Sequence, residues 1–268
     1  MRSRVIVYSS LLWLSAVVMA SILAPLLTRF DPLQPVGPPL ATPNGQWVLG
    51  TDALGRDTWT RLIYGARLSL SAAISSALLS ITIGGFVGVI SASSPHWVDR
   101  LIMWFSNALL SIPGLLLAMI LVAGLGPGLA TVIMAIGISG VPGFVRISRS
   151  IFMQTRSQRY METSRALGGD SLWIIRYHLL PNALSQLLSF STVQIAWAFL
   201  GLTTLTFLGL AGDPSTPEWG AMLNAGRLHL IEFPHLAILS GGAITLTIMS
   251  IHNLGIWLSR RTDPTRRL

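Results

Sequence analysis

Long uncharged apolar runs, separated by short segments that carry arginine, set the pattern of this chain. Residues 5–28 and 68–98 each exceed the ~20 residues needed to cross ~30 Å of hydrocarbon at ~1.5 Å per residue. Residues 101–145 run 45 positions without a charge. That is roughly 67 Å of helix, and the Gly-Leu-Gly-Pro-Gly cluster at 124–128 divides it into two spans joined by a tight turn. Uncharged runs at 177–212 and 233–259 supply the last two spans. The pattern predicts an all-α integral membrane protein with six transmembrane helices, at 5–28, 68–98, 101–123, 129–145, 181–208 and 233–259. Extracytoplasmic segments are expected at 29–67 and 209–232, a cytoplasmic loop at 146–180 and a cytoplasmic tail at 260–268.

Composition agrees with a chain that belongs in a bilayer. Hydrophobic residues make up 51% and charged ones 10%, against roughly a quarter charged in soluble domains. The absence of cysteine excludes disulfides and thiolate sites. All 18 basic residues are arginine and they are dispersed, so the net charge of +8 points to no nucleic-acid partner. Their placement does orient the chain. With both termini inside, only Arg29, Arg56, Arg61, Arg67 and Arg227 of the 18 lie outside, as the positive-inside rule favours. The basic start and Val18-Met19-Ala20 also admit a cleaved signal peptide, which leaves the later topology unchanged.

One polar segment interrupts the pattern, RYMETSRALGGDSLWIIRYHLLPN at 159–182. A short helix is expected up to Leu167, ended by Gly168-Gly169, because glycine accepts the left-handed conformation at a helix C-terminus. Asp170 can cap a second helix, whose apolar face carries Leu172, Ile175 and Leu179, and Pro181 suits the first turn of the next span. The residues alone also fit an ordinary amphipathic surface loop.

Glu162, Gly168, Leu180 and Pro181, at this spacing, resemble the EAA loop of inner-membrane subunits of ABC importers. Thr163 and Ser164 replace the two alanines, and His178 stands where isoleucine is usual. The resemblance implies a helix pair that docks onto the ATPase, with Glu162, Thr163, Ser164, Ala166, Leu167, Gly168, Leu172, Leu180 and Pro181 as coupling residues.

A second motif, LGTDALGRDTWTRLIYGARLSL at 49–70, resembles the signature of dipeptide, oligopeptide and nickel importer permeases. Its Gly50, Thr51, Asp52, Gly55, Arg56, Asp57 and Arg61 form a turn-rich polar group that either seals the outer ends of the helices or contacts substrate. FLGLAGDPSTPEWGAML at 207–223 resembles the loop after span five in the same subfamily. The family's fold is that of the type I importer membrane domain. Its partners are a second, similar permease, two ABC ATPase subunits that hold ATP and magnesium, and an extracytoplasmic solute-binding protein. This chain itself would bind no cofactor and catalyse nothing.

The residues support an externally powered transporter on their own terms. Carriers coupled to protons or sodium keep ionisable groups within the membrane, and the six spans hold no acidic residue near their centres. His252 is the one deep titratable candidate, and the histidines are too scattered to form a metal site. Ser106, Asn107, Gln186, Gln194 and Asn253 are candidates to line a wet pathway, or to hydrogen-bond between helices. No Walker loop or nucleophile-base set is present, which argues against a membrane enzyme. An ABC exporter half or a self-standing channel is disfavoured, because exporters commonly fuse the ATPase to their long membrane helices. Peptides are the expected substrate, with nickel or a metal–chelator complex second. The expected location is the bacterial inner membrane.

Overall fold

Apolar sequence without internal charge folds as helix because each segment must satisfy its own backbone hydrogen bonds in lipid. The computed structural model describes residues 2–158, 168 and 170–262. Its helices are α1 (Arg2–Ile22), α2 (Ala24–Leu27), α3 (Thr58–Ser93), α4 (His96–Leu110), α5 (Gly114–Leu125), α6 (Leu129–Arg156), α7 (Ser171–Ile174), α8 (Leu180–Phe207), α9 (Trp219–Arg227) and α10 (Pro234–Thr262). No strand occurs among the described residues, only an isolated bridge between Thr51 and Asp57. Helices α1, α3, α6, α8 and α10 are each long and apolar enough to cross a membrane, and the bent pair α4–α5 makes a sixth if it counts as one broken span.

That bend is the main departure from the expected spans. The sequence pattern places one helix at 101–123, whereas α4 and α5 meet at 86° around residues 111–113. Pro113 explains the break, since it has no N–H to donate to the preceding turn and disfavours helical geometry at Ile112. Helix α3 also starts before the expected span. It begins at Thr58 and runs for 36 residues, about 54 Å, well beyond the ~30 Å needed to cross the hydrocarbon. At the 124–128 turn, Gly126 and Gly128 both have positive φ, at 90° and 157°, and α6 starts directly after it.

Helices α3 and α6 pack along their lengths through small residues. A Cβ at Gly84 would come within 2.8 Å of Phe144 Cβ, and one at Gly88 would collide with Ser148 Oγ. In the other direction, a Cβ at Gly137 would lie 2.9 Å from Leu79 Cβ. Close backbone approach of this kind replaces the hydrophobic effect as the reason for membrane helices to associate. One core cluster gathers Ala72, Ala77, Val132, Ala135, Ala198 and Leu202 where α3, α6 and α8 meet. Helix α1 is tied to α10 by two polar links. Trp13 Nε1 donates to Thr247 Oγ1 at 3.1 Å, and Asn253 Nδ2 donates to Ser10 Oγ at 3.3 Å.

Before α8 the helix widens. Residues Ile175–Leu179 form a π-helical turn between α7 and α8, and Leu179 at the junction keeps helical angles. Pro181 sits in the first turn of α8, where its missing N–H interrupts the regular ladder. Gly168 has φ of 84°, the left-handed conformation that glycine tolerates. Glu162, Thr163, Ser164, Ala166 and Leu167 lie outside the described residues, and the first helix expected before Gly168 falls with them.

Candidate functional site: cap, cavity and polar clamp

At one end of the bundle the segment between α2 and α3 folds into a cap. Thr51 is its hub, with Oγ1 donating to the Pro38 carbonyl at 2.6 Å and accepting from Ala41 N at 2.8 Å. Gly50 and Gly55 turn the chain with φ of 74° and 76°, and their α-carbons face the carbonyls of Ala41 and Gly37 so closely that no side chain fits. Asp52 organises the next layer. Its Oδ1 accepts from Leu54 N and Arg56 N, and its Oδ2 meets Arg56 Nε at 2.8 Å and Arg61 Nε at 3.3 Å. Asp57 caps α3 by accepting from Thr60 N at 2.8 Å and Thr60 Oγ1 at 2.7 Å. Arg61 reaches across the cap to the Pro32 carbonyl at 2.9 Å and the Ser215 carbonyl at 3.0 Å. All seven motif residues thus converge, and the arginines join the cap to the loop before α9.

That loop delivers Glu218, which is fully buried. Its Oε1 accepts from Ser69 Oγ of α3 at 2.8 Å and its Oε2 from Ala221 N at 3.0 Å, so it caps α9 and fastens it to α3. Burial pushes the carboxyl above the usual carboxylate range, against hydrogen bonds from Thr206, Ala221, Ser69 and Gly220 that favour the charged form. Beside it, Trp219 is 2% exposed and donates from Nε1 to the Leu62 carbonyl at 2.9 Å.

Midway along the bundle a cavity of about 570 Å³ opens between α4, α5, α6 and α8. Its walls are mostly apolar, with Ser139, Gln194 and Thr204 as the polar groups. Trp197 on its wall is 66% exposed, so the cavity is unfinished on that side. Of the pathway candidates, Gln194 lines this space and packs over Gly140. Ser106 is buried in α4, Asn107 is exposed, Gln186 is half-buried and Asn253 makes the α1–α10 link. His252 is exposed on α10.

At the end opposite the cap, Arg149 of α6 holds Asp99 of α4 through two parallel bonds, Nε to Oδ1 at 2.5 Å and Nη2 to Oδ2 at 2.6 Å. Ser91 of α3 adds a third bond to Asp99 Oδ1, and Arg156 Nη1 donates to the Ala92 carbonyl at 2.9 Å. Three helices are therefore clamped immediately before the 159–182 segment. Sequence reasoning assigned no role to Asp99 or Glu218. The available signal was their scarcity, since a chain with only 10 acidic residues makes each one that is buried a candidate for a charged or hydrogen-bonding partner.

The bundle, with its broken span, loop-built cap and half-open cavity, shares its fold with chains of two ABC transporters of known structure. A structure of the MetNI methionine ABC transporter in inward-facing form superposes with a TM-score of 0.62 at 20% identity, covering 76% of this chain and 96% of that one. An amino acid ABC transporter crystallised with histidines superposes with a TM-score of 0.60 at 14% identity, over 75% of this chain and 94% of the other. Residues 80–264 match the family described as binding-protein-dependent transport system inner membrane component. The chain belongs to that family: it is an inner-membrane permease component of a binding-protein-dependent ABC importer. Among its relatives is the glutathione transport system permease protein GsiD of Pectobacterium atrosepticum, 37% identical over 222 residues, 83% of this chain and 74% of the relative. The protein of the same name in Escherichia coli is also 37% identical over 222 residues, 83% of this chain and 73% of that protein.

Proposed function

We propose that this chain forms half of the translocation pathway for small peptides and acts as a mechanical rather than a catalytic subunit. The observation that carries the substrate class is the likeness, at 37% identity over 83% of the chain, to permeases named for glutathione, itself a tripeptide. The cavity fits such a solute in size, since small-molecule sites run to ~300–1,000 Å³ and this one is about 570 Å³. Gln194, Ser139 and Thr204 offer it hydrogen bonds without charge. A second permease subunit completes the cavity on the side of Trp197.

In this reading the termini and the 159–182 segment lie in the cytoplasm and the cap lies outside. Two ATPase subunits hold ATP and magnesium and seat the segment around Glu162, Gly168 and Pro181. A solute-binding protein delivers peptide to the cap. When the ATPases close, the segment moves with them, and the Asp99–Arg149 clamp passes that motion to α3, α4 and α6. Reconstitution in liposomes tests this. Uptake of labelled tripeptide should require the partner permease, the ATPases, ATP and the binding protein together. Uptake by this chain alone under a proton gradient would overturn it.

A further inference from the structure

The cap encloses a second cavity, of about 160 Å³, between residues 52–58, the 213–215 turn, α9 and the start of α10. It shares no lining residue with the larger one. Arg56, Thr58 and Arg61 line it and are 5%, 2% and 3% exposed. Arg56 commits Nε to Asp52 and Nη1 to the Ser215 carbonyl, while Arg61 commits Nε to the same Asp52 oxygen and Nη1 to Pro32 and Ser215. Two guanidinium groups therefore share one carboxylate oxygen. The Thr58 hydroxyl is buried without a hydrogen-bond partner. Asp52, Ser215 and His229 also line it, and Leu54, Met222 and Leu236 supply its apolar wall.

A buried hydroxyl without a partner is costly, and guanidinium groups pair with planar oxyanions through parallel N–H bonds. The volume is below the ~300 Å³ at which sites for whole small molecules begin. It suits a single acidic group. The geometry points to a carboxylate-binding site in the cap, in which Nη2 of Arg56, Nη2 of Arg61 and the Thr58 hydroxyl receive one carboxylate. The carboxylate comes either from the C-terminus of a peptide solute or from an acidic side chain of the docked binding protein. Only this choice of source rests on the proposed function.

The first experiment needs no partner. The thermal unfolding midpoint of the purified chain is followed as sodium acetate replaces sodium chloride at constant ionic strength. The wild type should gain stability with acetate and saturate. Thr58→Val, which leaves the arginine pairings in place, should shift half-saturation roughly three- to tenfold higher, as loss of one hydrogen bond implies. Ala225→Phe, on the cavity wall, should abolish the response by filling the space. An acetate response that is absent in the wild type, or equal in all three proteins, overturns the site. In the assembled importer, weaker docking of the binding protein to Ala225→Phe assigns the source to that protein. Unchanged docking with a raised KM for tripeptide assigns it to the solute, and no change in either overturns the site. If the wild-type importer works without any binding protein, the proposed function fails while the acetate series still decides the cavity.

Discussion

Arg149 and Asp99 stand 50 positions apart in sequence and meet fork to fork, with both guanidinium-to-carboxylate contacts at or below 2.6 Å. Planar bidentate pairing is a property of arginine that lysine does not share. Asp99→Asn should destabilise the protein by about 1.5–3 kcal/mol, the usual worth of a charge-assisted hydrogen bond. Arg149→Lys should recover only part of this. The check is a double-mutant cycle on thermal or denaturant unfolding in detergent; a coupling energy near zero would mean that the clamp is ornamental.

Close packing of α3 on α6 gives a second expectation. Gly88→Val places new atoms against Ser148 Oγ and the Arg149 amide. Overpacking of a tight interface costs ~1–3 kcal/mol or more, so the purified protein should unfold earlier and resist assembly with partner subunits. Ser80→Ala should be mild by contrast. Its hydroxyl donates to the Gly137 carbonyl at 2.7 Å, and bonds between membrane helices average about 0.6 kcal/mol.

The raised carboxyl of Glu218 predicts a pH dependence with a definite sign. A carboxyl whose folded pKa lies above its unfolded value favours the folded state below the unfolded pKa, here 4.5, and that contribution is lost as pH rises through the folded value. The Glu218→Gln variant cannot ionise. The stability of wild type minus variant should therefore fall as pH rises above 4.5, measured by thermal midpoints across the series. A flat difference would show that hydrogen bonds from Ser69 and Ala221 fully offset the burial.

Gly168 has φ of 84° and open space around its α-carbon. Any penalty for Gly168→Val is thus one of backbone conformation, since a β-branched residue at positive φ is strongly disfavoured. Membrane abundance should stay near normal while uptake, or the response of ATP hydrolysis to loaded binding protein, collapses. Normal uptake at normal abundance would reduce the 159–182 segment to a surface loop.

Orientation is open to labelling in a chain without native cysteine. Thr42 and Ser157 are both exposed. Thr42→Cys should react with impermeant maleimide from outside, and Ser157→Cys only after the membrane is opened. The reverse pattern would invert the proposed topology.

Much of the bundle could be read directly from the sequence because lipid imposes one rule on every residue of a span. Runs without charge locate the helices, and the 49–70 and 207–223 motifs lead to the cap where Asp52, Arg56, Arg61 and Ser215 meet. The bend at Pro113 was equally present in the sequence, but an uncharged run hides a helix break unless each proline is weighed separately. Asp99–Arg149 and Ser69–Glu218 were not legible, because pairs 50 and 149 positions apart are joined by helix packing and not by any local pattern. Polar residues within spans were ambiguous for a related reason. Gln194 faces the cavity and Asn253 faces Ser10, yet both occur in the same kind of apolar surroundings.

Helix α3 carries the arginine of the cap at one extremity and the serine of the clamp at the other, without a proline anywhere between Thr58 and Ser93. An uninterrupted helix of this length behaves as a stiff rod of about 54 Å. If it pivots near one end, a tilt of about 5° sweeps the other through roughly 5 Å, close to the pitch of one helical turn. A displacement too small to disturb any single contact at the clamp would be large enough to reseat a side chain in the cap, which makes gear ratio, rather than force, the quantity this helix sets.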